Sequence, residues 1–150
     1  MKAKIFTEVY ATANGVVEYA GYHRKSGFGR LVVLNNSYGF RTYFAHLGKI
    51  NVKLGQVIQK GDLIALTGNS GRSKGPHLHY EIRFMHKAVN PFWFIKWTMN
   101  NYEEIFKKEK HVPWEPLLGL IAGWIGNEYE PELLDANETT AREDLNITNL

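Results

Sequence analysis

Hydrophobic and polar residues alternate with a period of two in six short segments of the first 84 residues. Turns containing Gly or Asn, such as Asn14-Gly15 and Tyr38-Gly39, separate these segments. Such alternation is typical of half-buried strands, so we predict a mainly β core of short antiparallel strands. The six predicted strands cover residues 8–12, 16–20, 30–35, 40–46, 63–67 and 78–84.

After Pro91 the pattern changes to helical spacing between Lys and Glu residues. It predicts one amphipathic helix over about residues 92–110. We expect this helix to pack on the sheet, although its aromatic stripe could instead bind a partner. The side chains predicted to make the packing contacts are Phe92, Ile95, Tyr102 and Phe106.

A second, shorter apolar segment covers residues 117–125, after Pro113 and Pro116 break the first helix. Intramolecular packing and an interface with a partner or second copy remain alternatives for it. At 150 residues, with 44% hydrophobic residues, the chain can bury one core. No apolar run reaches the roughly 18 residues of a membrane span, and no export signal follows Lys2 and Lys4.

Charge is distributed unevenly along the chain. Residues 127–150 contain seven acidic side chains and only Arg142 as a base, a net of −6, which leaves +9 for residues 1–126 out of the total of +3. We predict an acidic, disordered tail. The lysines of residues 1–126 are scattered, so we predict no nucleic-acid partner. Attraction to another anionic polymer explains the positive charge equally well. Cysteine is absent, which excludes disulfides and cysteine zinc sites.

Three histidines could converge. His77 and His79 are two positions apart in an alternating stretch, so both rings should leave one face of the sheet, and His46 lies in a second alternating stretch. A loop rich in Gly and Ser, residues 69–76, precedes them. The simpler alternative is that each histidine is half-buried and hydrogen-bonded. Convergence would instead indicate a metal or proton-transfer site.

These blocks together resemble the lysostaphin/LytM-type zinc metallopeptidases, which cut peptidoglycan cross-links. The resemblance runs from about residue 8 to Pro91 and includes 9-VYATANGVV-17, 42-TYFAHL-47, which is similar to a T-x-Y-x-H-L motif, 55-GQVIQKGDLIA-65 and the H-x-H pair. It implies the antiparallel LytM-type fold, a duplicated hybrid motif. It also implies Zn²⁺ as cofactor, peptidoglycan peptides as substrate, His79 as zinc ligand, and His46 and His77 as catalytic residues.

The resemblance also implies an H-x-x-x-D motif ahead of Val9, yet neither His nor Asp occurs among the first ten residues. Only one of the three expected protein ligands can therefore be named. His23, in a basic loop, is not expected to replace one. Two hypotheses stay open: the chain is an N-terminally truncated piece of a longer enzyme, or it is a non-catalytic scaffold. We predict that the chain alone neither holds stoichiometric zinc nor cleaves peptidoglycan.

The resemblance organises the chain into three parts: a peptidase core at 1–91, a helical extension at 92–126 and the acidic tail at 127–150. It places the intact parent protein in the periplasm or cell envelope, and the long C-terminal addition resembles cell-shape-determining members. A LytM-type partner or a second copy could bind the extension. A remote alternative is a histidine phosphocarrier, because residues 55–65 also resemble the hybrid motif of such carriers.

Overall fold

The computed structural model describes residues 2–96, 98, 100 and 103–125, and this part of the chain is mainly β. All six predicted strands form, with ends that differ by up to three residues. Three further short strands, at residues 47–50, 57–58 and 87–89, were not predicted. The strands are β1 Glu8–Tyr10, β2 Gly15–His23, β3 Gly29–Asn35, β4 Phe40–Ala45, β5 Leu47–Ile50, β6 Val57–Ile58, β7 Leu63–Thr67, β8 His79–Phe84 and β9 Lys87–Val89; the helices are α1 Pro91–Ile95, α2 Glu103–Lys108 and α3 Trp114–Ile125.

The strands form two antiparallel sheets. Six of them lie in the order β6-β2-β3-β4-β8-β9, and the other three in the order β1-β7-β5. Fully buried apolar side chains from both sheets, among them Leu34, Phe44 and Ile64, form the main core. Burying each such side chain stabilises the fold by about 1.5–3 kcal/mol. Phe44 of β4 belongs to this core, and Tyr80 of β8 packs against it.

Register places polar groups on one face of the large sheet. Across β4 and β8, Ala45 pairs with His79 and Tyr43 with Glu81. Directly opposed residues of antiparallel strands project from the same face. We call this face, which carries Tyr43, His79, Glu81 and Arg83, the histidine face. The opposite face of β4, carrying Thr42 and Phe44, is buried.

The predicted single helix over 92–110 is wrong. The Asn90 side chain caps α1 by accepting a hydrogen bond from the Phe92 N–H at 3.0 Å, and Lys96 already ends the helix as its C-cap. Thr98 is not helical and Asn100 lies in a turn. Threonine and asparagine have low helix propensity, and asparagine favours turns, so the chain forms the short helices α1 and α2.

The predicted packing of the helix through Phe92 and Ile95 is wrong. Phe92 is 46% exposed and Ile95 53% exposed, so neither anchors α1. The contact to the sheet comes instead from Phe94, whose ring centroid lies 5.7 Å from that of Phe40. In α2 the buried residue is Ile105, while Phe106 is half-buried. Tyr102 lies outside the described residues.

The chain divides into two compact units, Met1–Val112 and Pro113–Leu150. The first unit contains both sheets, α1 and α2, and the second contains α3. None of the described helices has the length and hydropathy of a membrane span. The predicted acidic tail, residues 127–150, lies outside the described part of the chain.

Candidate active site

His46 occupies a bend between β4 and β5 with a φ of 58°, in the left-handed region. Few residues other than glycine adopt this conformation without support from their surroundings. Here the His46 N–H donates to the Phe28 carbonyl oxygen at 2.9 Å, and its ring Nδ1 donates to the Ser70 carbonyl oxygen at 2.7 Å. These two bonds hold the buried imidazole in one orientation.

The three predicted histidines come together. The ring centroid of His46 lies 4.7 Å from that of His77 and 5.7 Å from that of His79. Convergence is therefore confirmed, but alternation explains only part of it. His79 begins β8, whereas His77 precedes the strand and is held by isolated bridges to Lys2 and Gly68.

Hydrogen bonds to backbone carbonyls assign the tautomers of two rings. A carbonyl only accepts, so Nδ1 of His46 carries its proton toward Ser70, and Nδ1 of His77 carries its proton toward the Gly75 oxygen, 2.8 Å away. The Ser73 hydroxyl lies 3.1 Å from the same His77 nitrogen. In the neutral rings, Nε2 of both histidines is then the nitrogen that accepts protons.

His79 has the opposite tautomer. Its Nε2 lies 2.6 Å from Oε1 of Glu81 and donates to that carboxylate, which leaves the lone pair on Nδ1. The second oxygen of Glu81 accepts from Arg83 at 2.6 and 2.7 Å, and the Arg83 guanidinium lies 4.3 Å from the centre of the Tyr43 ring. A carboxylate that holds a histidine in this way is the usual support of a metal-binding imidazole.

The pKa values of two site residues are perturbed. Burial alone would raise the pKa of Glu81, but hydrogen bonds from His79 and Arg83, with the positive charge of Arg83, lower it below its ordinary value. Glu81 is therefore a carboxylate at neutral pH. Burial lowers the pKa of His46, the hydrogen bond to Ser70 opposes this, and the neighbouring rings of His77 and His79 add to the lowering. A neutral His46 can accept a proton.

Sequence analysis missed the residues that support the histidines. Glu81 and Arg83 follow His79 at intervals of two, so their place on the histidine face could have been found from strand alternation. Ser70 and Phe28 could not, because they act through backbone carbonyls of distant loops. The Phe28 ring also contacts the site directly, at 5.3 Å from the ring of His79.

His79 has the free nitrogen and the carboxylate support that a zinc ligand needs. Among the residues that the structure describes, however, no group of three or more His, Cys, Asp or Glu side chains is placed to hold a metal ion. His23 is engaged elsewhere, with its Nδ1 2.6 Å from the hydroxyl of Ser26. The described residues thus fit zinc at one ligand position.

Comparison with known proteins identifies the family of the chain. Residues 1–91 match the model of peptidase family M23. The chain is 48% identical over 85 residues to an uncharacterized metalloprotease of Haemophilus influenzae, an alignment covering 57% of this chain and 18% of that protein. It is 42% identical over 86 residues to the peptidoglycan DD-endopeptidase ShyA of Vibrio cholerae, covering 57% and 20%. The chain thus spans about a fifth of the length of these relatives.

Solved structures show the same fold. The catalytic domain of lysostaphin from Staphylococcus simulans superposes with a TM-score of 0.61 and 32% identity, covering 64% of this chain and 75% of that domain. The predicted LytM-type antiparallel fold is therefore confirmed.

Proposed function

Because the chain belongs to peptidase family M23, whose metallopeptidases depend on zinc, we propose that it contributes the histidine half of a site that hydrolyses peptide cross-links of peptidoglycan. The observation that supports this most is the convergence of His46, His77 and His79 with complementary tautomers. We further propose that the intact protein works in the cell envelope, where this polymer lies. The division into a core at 1–91, an extension and a tail belongs to the same proposal.

His79 is the proposed metal ligand. Glu81 accepts a hydrogen bond from the Nε2–H of His79 and thereby leaves the lone pair of Nδ1 in a fixed direction for a metal ion. Zinc held in such a site would polarise the scissile carbonyl and lower the pKa of a bound water to about 7. Arg83 keeps Glu81 ionised, because it occupies the other carboxylate oxygen.

His46 and His77 are the proposed catalytic residues. Each ring is fixed by a backbone carbonyl at Nδ1 and keeps Nε2 for the substrate. The neutral ring can take a proton from the attacking water, and the protonated ring can donate to the oxyanion that develops on the carbonyl. A well-placed general base is worth about 10²–10⁴-fold in rate, and oxyanion donors add a similar factor.

We also propose that this chain alone neither holds zinc stoichiometrically nor cleaves peptidoglycan. One imidazole binds zinc weakly, because affinity depends on the number of preorganised ligands. The lack of a ligand group of three among the described residues favours this, and it equally favours the alternative of a non-catalytic LytM-type scaffold. The peptidase and the scaffold are distinguished by supplying the two missing zinc ligands, because only the peptidase should then cleave peptidoglycan.

The experiment compares the chain with a version extended by an upstream segment carrying an H-x-x-x-D motif. Zinc per chain is measured by metal analysis, and cleavage by the release of muropeptides from purified peptidoglycan. We expect neither zinc nor cleavage for the chain alone and both for the extended version. His79→Ala in the extended version should lose both properties. His77→Ala should keep zinc and lose about 10²–10⁴-fold in rate.

Each alternative has its own outcome. An extended version that binds zinc but releases no muropeptide would favour the scaffold. Zinc-dependent cleavage by the chain alone would show that another residue completes the site, and would contradict the proposed single-ligand site.

A further inference from the structure

Two loops beside the histidines are strongly basic. Residues 24–28, between β2 and β3, and residues 69–76, between β7 and β8, contain four cationic side chains and no acidic one. All four are exposed. We call them the basic rim: Arg24, Lys25, Arg72 and Lys74.

The two loops are held together as one structure. The Arg72 N–H donates to the Gly27 carbonyl oxygen at 2.7 Å, and the Arg30 N–H donates to the Ser70 hydroxyl at 2.9 Å. Gly71 has a φ of +72°, and a Cβ atom there would overlap backbone atoms of the other loop. Only glycine permits so close an approach. The backbones of the two loops that carry the basic rim are therefore in direct contact.

The basic rim borders the candidate active site. The same loops supply the two carbonyls that hold His46, from Phe28 and Ser70. The Phe28 ring lies 5.3 Å from the ring of His79. A molecule bound at the histidines would therefore lie beside these loops.

Ion pairing within the described part of the chain does not explain these charges. In the part of the chain that the structure describes, the arginines with acidic partners are Arg41, which pairs with Glu18 at 2.8 Å, and Arg83, which pairs with Glu81. None of the four residues of the basic rim forms an ion pair there. Clustered like charges without partners repel one another, so the cluster is better explained by an anionic ligand than by stability.

We infer that the basic rim binds free carboxylates of the peptide substrate, and so selects acidic peptides for the site. This rests on the proposed function, since it assigns a role in substrate binding to loops that flank the histidines. Arginine matches a carboxylate with two parallel hydrogen bonds, and a positive cleft raises the local concentration of an anionic substrate. A nucleic acid would be attracted to the same charges, so the test compares a DNA duplex with the carboxylate probe.

The test measures binding, which needs neither zinc nor cleavage. Fluorescence anisotropy would follow two labelled probes: muropeptides with free carboxylates, and the same muropeptides with those carboxyl groups amidated. The rim variant carries Arg24→Gln, Lys25→Gln, Arg72→Gln and Lys74→Gln. A control variant loses the same charge at exposed lysines outside the two loops, through Lys53→Gln, Lys60→Gln, Lys87→Gln and Lys108→Gln. Thermal unfolding midpoints verify that both variants fold.

At low salt we expect the rim variant to bind the carboxylate probe roughly tenfold more weakly than the unmodified chain, and the control variant to bind within about twofold of it. Amidated probe should bind the unmodified chain as weakly as the carboxylate probe binds the rim variant. Added salt should remove most of the difference, because exposed charges are screened.

Three outcomes would overturn the inference: equal binding of both probes by the unmodified chain, equal losses in both variants, or a DNA duplex that binds through the basic rim more tightly than the carboxylate probe. Failure of the proposed function gives a different result from failure of this inference. If only the proposed function fails, the extended chain releases no muropeptide, but the rim variant still binds the carboxylate probe more weakly than the unmodified chain does.

Discussion

Replacing Glu81 with glutamine tests how the site prepares His79. The carboxylate accepts from His79 through one oxygen, at 2.6 Å, and from Arg83 through the other, at 2.6 and 2.7 Å. Glutamine has nearly the same shape but a single acceptor oxygen and no charge. The substitution Glu81→Gln therefore removes the charge, leaves Arg83 without its carboxylate, and allows both tautomers of His79.

The structure sets the expected size of the effect. The Glu81 side chain is 19% exposed, so solvent compensates only partly for the lost contacts. A hydrogen bond to a charged group contributes about 1.5–3 kcal/mol, and glutamine removes the equivalent of one, so we expect a loss of about 2 kcal/mol of unfolding free energy. For a unit of 112 residues, this corresponds to a fall of roughly 8 °C in melting temperature.

The pH dependence has a definite sign. The folded-state pKa of Glu81 lies below its ordinary value of 4.5. Its contribution to stability is thus fully present above pH 4.5 and is lost as the pH falls through the folded-state pKa. The difference in melting temperature between the unmodified chain and Glu81→Gln should be largest near neutral pH and should shrink in acid.

Two assays check these expectations. Thermal unfolding followed by circular dichroism gives the stability, and ¹⁵N NMR of the imidazoles shows which nitrogen of His79 carries the proton. The unmodified chain should carry it on Nε2, and Glu81→Gln should populate the Nδ1–H form. Glu104→Gln, at an exposed position in the first turn of α2, is the matched control: it should leave the tautomer of His79 unchanged and cost less than about 1 kcal/mol. If Glu81→Gln has no larger effect than this control on either quantity, Glu81 does not orient His79 and the argument for its role fails.

Two further predictions concern the loops and α1. Gly71→Ala should lower the unfolding free energy by about 2 kcal/mol or more, because the added Cβ would overlap the facing loop and the φ of +72° would be strained. Gly75→Ala is the control, since an added Cβ there meets nothing within 4 Å. In the same denaturant titration its unfolding free energy should stay within about 0.5 kcal/mol of that of the unmodified chain. Phe94→Ala should lower the unfolding free energy by about 1–2 kcal/mol through the lost contact with Phe40, and more than Phe92→Ala does. Equal losses within either pair, measured in urea, would contradict the packing described.

Local patterns of the sequence determined much of this protein. Alternation located six strands and placed His79 on one face of β8, because side chains in a strand project to opposite faces whatever the partner strand is. The motifs together identified the family, since each motif is a short stretch of residues. The helix prediction failed where local signals conflicted: aromatic residues recur at helical spacing, but Lys96 ends α1 and Asn100 lies in a turn.

Tertiary structure alone decided how the site is assembled. β4 and β8 are far apart in the chain, and only their pairing brings Ala45 opposite His79. The bend at His46 depends on carbonyls from Phe28 and Ser70, which belong to loops that meet only in the folded chain. The short strands β5, β6 and β9 were missed for a related reason: two to four residues carry too little periodicity, and hydrogen bonds to distant strands hold them in place. Such contacts arise from long-range packing, which no local pattern of residues encodes.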